Sequence, residues 1–326
     1  MQMSLLSEIR KPIEQELAQF QVTFDESLTS SNPLLMGAID HIRKRNGKMM
    51  RPLLVLLLAK LYGSVSNQAI HSAVSLELLH TASLVHDDVV DESDQRRGQL
   101  SVNALFNNKV SVLVGDFLLA TSLVQVSLSR DYRIIDVVAK LGQQLADGEI
   151  LQLSNIANRE FSEEVYFSVI YKKTAALFSD CTRFAALSAG ASDQEVDLAT
   201  KFGEYMGICF QIRDDIFDYY ASSDIGKPTG NDMLEGKLTL PSLYVLNNKA
   251  TAEVIDAAYR IKGGDATSEE INQFIDFVLA NGGIEYAEET MLSYRQKALD
   301  ILSDFPDNDA RQSLIRYLDY VVLRKK

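Results

Sequence analysis

Long segments without a helix-breaking residue are the dominant feature of this sequence. Proline accounts for only 6 of its 326 residues, and the segment 68–92 contains neither proline nor glycine. Its apolar residues recur at helical spacing on more than one side, which is typical of a central helix in a large bundle. The segments 104–128, 163–189 and 195–220 share this pattern. Strand-like alternation between turn residues is hard to find, so the sequence predicts an all-α fold.

Short polar segments divide these predicted helices. They lie at 63–67, 94–101, 129–133 and 222–237. The last contains three glycines and one proline, and it is the one long loop that the sequence predicts. No shift in composition marks a domain boundary, so we expect a single all-α domain over residues 1–326.

Charge and cysteine content narrow the class of protein. The net charge of −13 argues against nucleic acid as the main partner, because phosphate binding needs a basic face. Cys181 and Cys209 form neither a zinc-like spacing nor a disulfide framework, which indicates a reducing compartment. Apolar runs such as 53–59 are too short to span a membrane, and the first residues lack the apolar core of a signal peptide. We expect a cytoplasmic protein without a transmembrane segment.

Two aspartate clusters of identical spacing stand at the ends of predicted helices. They read HDDVVD in the segment 84–98 and RDDIFD in the segment 210–220, and their members are Asp87, Asp88, Asp91, Asp214, Asp215 and Asp218. On a helix the first and third aspartates of each cluster share one face. A solvated acidic face is the plain alternative for a single cluster. Here each cluster follows an apolar helix and precedes basic residues, namely Arg96, Arg97, Lys227 and Lys237.

Carboxylates crowded in this way predict a metal site with a phosphorylated substrate. Like charges this close repel one another unless a positive charge lies between them. Two such clusters across a cavity would bind hard cations through oxygen, and Mg²⁺ suits them because substrate phosphates complete its coordination. Metal ions so placed would hold a diphosphate and neutralise it as it leaves. The chemistry predicted is ionisation of a carbon–diphosphate bond beside an apolar cavity.

At these motifs the sequence resembles the trans-isoprenyl diphosphate synthases, also called polyprenyl synthetases. The resemblance runs from about residue 40 to the C-terminus. It includes both aspartate motifs, NGKMMRP at 46–52, KTAAL at 173–177 and GKPTGNDMLEGKLTLP at 226–241. It implies a helical bundle around a central substrate cavity, the isoprenoid synthase fold. It also implies a homodimeric transferase that condenses isopentenyl diphosphate onto geranyl or farnesyl diphosphate with several Mg²⁺ ions.

The resemblance also implies a role for each motif residue. The six aspartates would bind metal, with Asp215 either a ligand or a carboxylate that orients substrate. Thr174 and Gln211 would direct their oxygens at the developing allylic cation, beside Lys173. The allylic diphosphate would contact Arg96, Lys173, Lys227 and Lys237. Isopentenyl diphosphate would contact Gly47, Lys48, Arg51, His80 and Arg97. The departing diphosphate would take the final proton. The sequence departs from the family pattern at Asn46, Met49 and Leu100.

Small residues upstream of the first motif bear on product length. Ala82 and Ser83 stand where aromatic side chains commonly block the tunnel of family members that make fifteen-carbon products. The next turn offers Leu78 and Leu79, and the segment 117–126 offers Leu119 and Leu123, none of them aromatic. One isoprene unit takes roughly one helical turn, about 5.4 Å. We therefore expect a product longer than fifteen carbons, with thirty or more favoured and a twenty-carbon geranylgeranyl product as the alternative. Such a product would favour peripheral association with a membrane.

Two other functions stay open at this point. A class I terpene cyclase also uses a DDxxD motif in an all-α cavity, but it usually carries a different second metal motif. A subunit of a heteromeric prenyl synthase, inactive without its partner, is the other alternative. A non-catalytic subunit tends to lose an aspartate cluster, and both clusters are present here.

Overall fold

The structure is a computed structural model that describes residues 2–44, 49–96, 98–157, 160–220 and 230–324. Seventeen α-helices account for most of the described chain. They are α1 (Gln2–Arg10), α2 (Glu14–Ser27), α3 (Pro33–Arg43), α4 (Met50–Leu61), α5 (Asn67–Val90), α6 (Val102–Phe106), α7 (Asn108–Ser127), α8 (Tyr132–Ala157), α9 (Glu163–Ile170), α10 (Ala176–Ser188), α11 (Asp193–Asp218), α12 (Asn231–Leu234), α13 (Leu240–Asn248), α14 (Ala252–Gly263), α15 (Ser268–Ala280), α16 (Gly283–Ser303) and α17 (Asp309–Leu323). The all-α prediction is confirmed.

One small hairpin lies in the predicted loop 94–101. Its strands are β1 (Gln95–Arg96) and β2 (Gln99–Leu100), which pair antiparallel with Arg96 opposite Gln99. Gly98 turns the hairpin with a φ of 74°, a conformation that glycine adopts without steric cost. The carbonyl of Leu100 accepts a hydrogen bond from Nε2 of His41 at 2.8 Å. Two-residue strands give no periodicity that a sequence could reveal.

The contacts of the chain group into two compact units. Unit 1 comprises residues 1–142, 178–200 and 304–316. Unit 2 comprises residues 143–177, 201–303 and 317–326. Each unit is assembled from separate stretches of chain. The expected single domain therefore stays a prediction.

Helix α5 is the central element of unit 1. The hydroxyl of Ser66 caps its first turn by accepting from the amide of Ala69 at 3.2 Å. Its side chains pack against α7, where Ser75 bonds the hydroxyl of Ser122 at 3.0 Å. His71 and Gln125 pair 2.9 Å apart one turn away. The two helices therefore run antiparallel, and small polar side chains allow them to approach closely.

The far side of α7 is apolar and exposed. Val112, Leu113 and Val124 are between 42% and 67% exposed, and Leu119 and Leu123 are 36% and 48% exposed. Leu119 and Leu123 lie to one side of the stripe that touches α5, because each follows a buried residue of α7, Leu118 or Ser122, by one position, roughly 100° round the helix. Their predicted place along the tunnel stays a prediction. In the described chain, α7 is also the one helix whose length and hydropathy would suffice to cross a membrane.

Candidate active site

The first aspartate motif divides into outward and inward carboxylates. It occupies the last turn of α5 in unit 1. Asp87 is half-buried and Asp91 is exposed, whereas Asp88 is fully buried. Asp87 and Asp91 lie one turn apart, joined by the backbone hydrogen bond from Asp91 N to Asp87 O at 2.8 Å. Their carboxylate oxygens are the donors that Mg²⁺ prefers.

The buried Asp88 holds Arg96. The Arg96 guanidinium forms an ion pair with the Asp88 carboxylate. Nδ2 of Asn103 ties this segment down by donating to the carbonyls of Asp88 and Ser93, each at 3.2 Å. A buried carboxylate needs such a partner, because an unpaired charge in the interior is costly. Asp88 therefore fixes the arginine that is predicted to contact the allylic diphosphate.

The second motif closes α11 in unit 2 and shows a similar division. Asp214 is half-buried, and its Oδ1 accepts from the Arg324 guanidinium at 2.6 Å. Both carboxylate oxygens of Asp218 accept from the backbone amides of Asn231 and Asp232, at 3.0 and 3.1 Å. Asp218 thereby anchors the first turn of the short helix α12.

Asp215 is the inward member of the second motif. It is 2% exposed, and its two oxygens accept from Tyr166 Oη at 2.6 Å and Gln211 Nε2 at 2.8 Å. Burial and the neighbouring Asp232 raise the pKa of Asp215 well above its ordinary value, and the two donors oppose that shift. The orienting role that the sequence allowed for Asp215 fits these contacts better than direct metal ligation.

Lys173 and Thr174 project from an interruption in the predicted helix 163–189. The residues Tyr171–Ala175 form a π-helical turn between α9 and α10. Such turns are rare and often mark functional sites, because the extra residue redirects the side chains. Lys173 forms an ion pair with Glu149 at 2.5 Å and donates to Gln152 at 3.1 Å. Thr174 donates to Oε1 of Gln211 at 2.7 Å.

Gly148 allows α8 to approach this π-helical turn. A Cβ at position 148 would lie 2.7 Å from Cβ of Lys172 and 3.2 Å from the backbone nitrogen of Lys173. We expect Gly148→Ala to displace Lys173 and to lower kcat by roughly 10- to 100-fold, because small misplacements of catalytic groups are costly. Steady-state kinetics would measure this loss. Gly142→Ala is the matched control on the same helix, because a Cβ there meets nothing within 4 Å. Equal rates for the two variants would contradict the expectation.

Part of the second motif and of the π-helical turn lines one cavity of about 210 Å³ within unit 2. Its lining includes the predicted residues Lys173, Thr174, Gln211, Asp215 and Lys237, and also Gln152. Lys237 forms an ion pair with Glu235 at the cavity. The cavity thus joins a cationic group, hydroxyl and amide dipoles, and a buried carboxylate.

Several residues at this site carried no role in the sequence prediction. Asp232 lines the cavity, and burial together with the charge of Asp218 raises its pKa to about 6. Its place in the quoted segment 226–241 was the available signal. Tyr166, Glu149 and Arg324 lie outside every motif, and their contacts depend on tertiary packing.

The predicted isopentenyl diphosphate residues are described only in part. Arg51 lies in the first turn of α4 in unit 1, with its guanidinium 5.7 Å from the ring centroid of Phe178. His80 lies on α5, seven residues before Asp87 and on the same helical face. Gly47, Lys48 and Arg97 lie outside the described residues, as does Lys227, which is predicted to contact the allylic diphosphate instead.

The predicted chain-length residues lie on different faces of α5. Ala82 is 2% exposed and follows the stripe of His71 and Ser75 that touches α7. Ser83 is half-buried and lies one turn below Asp87. Ala82 therefore lies in the seam between α5 and α7, whereas Ser83 lies on the face of α5 that carries Asp87.

The arrangement of acidic side chains bears on metal binding. Within the described ranges, no group of three or more His, Cys, Asp or Glu side chains is close enough to hold a metal ion. The pair Asp87 and Asp91 fits a hard cation in its donor chemistry, with further oxygens to come from water and diphosphate.

Known proteins resemble this chain over nearly its whole length. The family model "Polyprenyl synthetase" matches residues 32–278. An octaprenyl diphosphate synthase of Haemophilus influenzae is 36% identical, over 95% of this chain and 94% of its own. A solved geranylgeranyl pyrophosphate synthase of Bacteroides thetaiotaomicron is 55% identical, with a TM-score of 0.87 and coverage of 98% and 100%.

A third relative was solved with ligands. It is a polyprenyl synthase of Caulobacter crescentus CB15 complexed with calcium and isoprenyl diphosphate. It is 29% identical, with a TM-score of 0.91 and coverage of 98% of each chain. The predicted family and class of enzyme are confirmed. This chain belongs to the polyprenyl synthetase family and is a prenyltransferase.

Proposed function

We propose that this prenyltransferase condenses isopentenyl diphosphate onto an allylic diphosphate, geranyl or farnesyl, and repeats the step. The observation that carries the proposal is the cavity that joins Lys173, Thr174 and Gln211. A cation beside fixed oxygen dipoles is what ionisation of an allylic diphosphate requires: the cation stabilises the leaving group and the dipoles stabilise the carbocation.

The residues of the chain then have separate tasks. Asp87, Asp91 and Asp214 would hold Mg²⁺ together with the diphosphate, and bound Mg²⁺ supplies Lewis-acid stabilisation of the leaving group. Arg96, held by Asp88, and Lys173, held by Glu149, would bind the diphosphate oxygens. Lys227 and Lys237 would complete that site.

The remaining groups act on the carbon skeleton and the second substrate. Thr174 and Gln211 direct oxygen lone pairs at the allylic carbons as positive charge develops there. Arg51, His80, Gly47, Lys48 and Arg97 would bind isopentenyl diphosphate. The final proton passes to the departing diphosphate.

The product we propose has thirty carbons or more. The small, buried Ala82 at the seam of α5 and α7 and the half-buried Ser83 support it, since neither closes the way down the helix. The octaprenyl synthase relative points to the same range. A twenty-carbon product is the second candidate, favoured by the geranylgeranyl synthase relative at 55% identity.

We also propose that the enzyme is a homodimer of the cytoplasm. The exposed apolar side of α7 supports the dimer, because a second copy of the same helix would cover Leu113, Leu119 and Leu123. A long polyprenyl product would partition into lipid and would bring the enzyme to the membrane surface for release.

Incubation of the purified chain alone tests these proposals. The assay supplies Mg²⁺, labelled isopentenyl diphosphate and either geranyl or farnesyl diphosphate, and chromatography resolves the chains after dephosphorylation. We expect a ladder that ends at thirty carbons or more and disappears with a chelator. A ladder that ends at twenty carbons would favour the second candidate. Hydrocarbon release would indicate a cyclase, and no elongation would indicate a required partner subunit.

A further inference from the structure

We propose that Tyr166 is a positioning residue for the ionisation step. Its phenol anchors Asp215, and through Asp215 it sets the orientation of the Gln211 amide and the Thr174 hydroxyl. This inference rests on the proposed function of the same cavity and adds to it a residue that lies outside every recognised motif.

Three hydrogen bonds connect these four side chains in series. Tyr166 Oη donates to Asp215 Oδ2 at 2.6 Å, and Gln211 Nε2 donates to Asp215 Oδ1 at 2.8 Å. Thr174 Oγ1 donates to Gln211 Oε1 at 2.7 Å. All four residues line the same cavity. The series therefore leads from a buried phenol to the hydroxyl that is predicted to face the allylic cation.

The donor and acceptor order along these hydrogen bonds decides whether Thr174 turns its lone pairs or its proton toward the cavity. Two donors converge on Asp215, so the amide nitrogen of Gln211 points toward the carboxylate and its oxygen toward Thr174. Because that oxygen takes the single hydroxyl proton of Thr174, the lone pairs of Thr174 are left to face the cavity. A flipped Gln211 amide would reverse this order and would turn a hydrogen toward the cation. The carboxylate prevents the flip.

Tyr166 is well placed to hold the carboxylate in this role. It lies in the first turn of α9, whose start is capped by the hydroxyl of Ser162 at 3.2 Å from the amide of Val165. Its side chain is 5% exposed, and its ring packs edge-on against Phe167. A phenol is a strong donor with few rotamers, so it restrains Asp215 without adding charge to the cavity.

Tyr166→Phe tests the proposal, because it removes one hydroxyl and keeps the ring. We expect kcat to fall about 10-fold, less than the 100-fold or more typical of losing a direct transition-state donor. KM for both substrates should change less than about 3-fold, because Tyr166 would act on the transition state rather than on diphosphate binding. The dissociation constant of farnesyl S-thiolodiphosphate with Mg²⁺ should also be unchanged.

Tyr219→Phe is the matched control. Tyr219 is 3% exposed, and its phenol pairs with Ser242 at 2.5 Å and Thr239 at 3.4 Å, outside the Asp215 series. Tyr219→Phe should lose as much stability as Tyr166→Phe, since each variant leaves a buried polar partner without its phenol. Its kcat should stay within about 2-fold of wild type. Thermal unfolding of both variants measures that loss. Equal kcat losses in the two variants would overturn the proposal.

A double-mutant cycle with Asp215→Asn separates the indirect role from a general structural one. Because Tyr166 would act only through Asp215, adding Tyr166→Phe to Asp215→Asn should change kcat less than about 3-fold. Multiplicative effects would overturn the proposal even if the single variant is slow. Failure of the wild-type chain to elongate on its own would instead concern the proposed function, as a sign of a required partner subunit or of another activity, and not the role of Tyr166. If the wild-type chain elongates and Tyr166→Phe has the same kcat, only the role of Tyr166 would be refuted.

Discussion

Replacing both Asp87 and Asp91 by asparagine is expected to lower kcat for elongation by about 1,000-fold or more. Mg²⁺ supplies several kcal/mol of charge stabilisation to the leaving group, and each 1.36 kcal/mol is a factor of about ten in rate. Asparagine keeps the shape of the side chain and removes the charge that the metal needs. Single-turnover rates with farnesyl diphosphate, measured across a Mg²⁺ titration, would show the loss.

Asp88→Asn should behave differently although Asp88 belongs to the same motif. Asp88 is buried and paired with Arg96, so its loss would misplace an arginine. We expect it to raise KM for the allylic diphosphate more than it raises the Mg²⁺ concentration at half-maximal rate. Asp94→Asn is the control, because Asp94 is an exposed carboxylate just beyond the motif. If Asp88→Asn shifted the Mg²⁺ titration as far as the Asp87 and Asp91 double variant does, while Asp94→Asn left it unchanged, the division between outward and inward aspartates would be refuted.

Helical periodicity predicted much of the fold because burial in a bundle repeats every 3 to 4 residues. The segment 68–92 corresponds to α5 (Asn67–Val90), and 195–220 corresponds to α11 (Asp193–Asp218). Two segments predicted as single helices are interrupted. Asn107, at a φ of 82°, separates α6 from α7, and the turn Tyr171–Ala175 separates α9 from α10. The turn Tyr171–Ala175 contains no glycine or proline and carries no local signal. Asn107 does carry one, because asparagine tolerates positive φ and its side chain caps α7 by accepting from the amide of Val110, but the apolar periodicity outweighed it.

The site was predictable wherever a charge pattern reports chemistry directly. Both aspartate clusters, Lys173 and Gln211 stand in short motifs whose residue types match a diphosphate and a cation. The division of labour within each cluster was not predictable, because it depends on which carboxylate tertiary packing buries. The resemblance already allowed an orienting role for Asp215, but its partner Tyr166 could not be foreseen, because it lies on a helix some fifty residues earlier in the chain and outside every motif.

Ala82→Phe is expected to shorten the product from thirty or more carbons to fifteen or twenty. Ala82 lies in the seam of α5 and α7, between the level of Ser75 and Ser122 and the level of His86 and Gly115. The helices are close there: a Cβ at Gly115 would lie 2.1 Å from the His86 ring. If the growing chain descends through this seam, a phenyl ring at position 82 would occupy its path.

A graded series makes this test independent of simple destabilisation. Overpacking costs about 1–3 kcal/mol whatever the direction of the tunnel, so thermal unfolding must be measured beside product length. If the chain descends through the seam, Ala82→Val, Ala82→Leu and Ala82→Phe should shorten the product in that order at similar total turnover. Lower turnover with an unchanged product would show that the ring disturbs packing without meeting the chain.

Ser83→Phe decides between the two faces of α5. Ser83 lies directly below Asp87, so a ring there would meet a chain that descends along the aspartate face. Because Ala82 and Ser83 are adjacent but point about 100° apart, the two substitutions sample different walls at nearly the same depth. Shortening by Ala82→Phe alone would put the tunnel in the seam with α7, next to the apolar surface proposed for the dimer. Shortening by Ser83→Phe alone would put it on the aspartate face, where Leu79, one turn before Ser83, would be the next residue along its wall and Leu78 would have no part. Shortening by both would mean that the tunnel is wide enough to touch both walls, and the next turn, at Leu78 and Leu79, would become the place to look for what ends elongation.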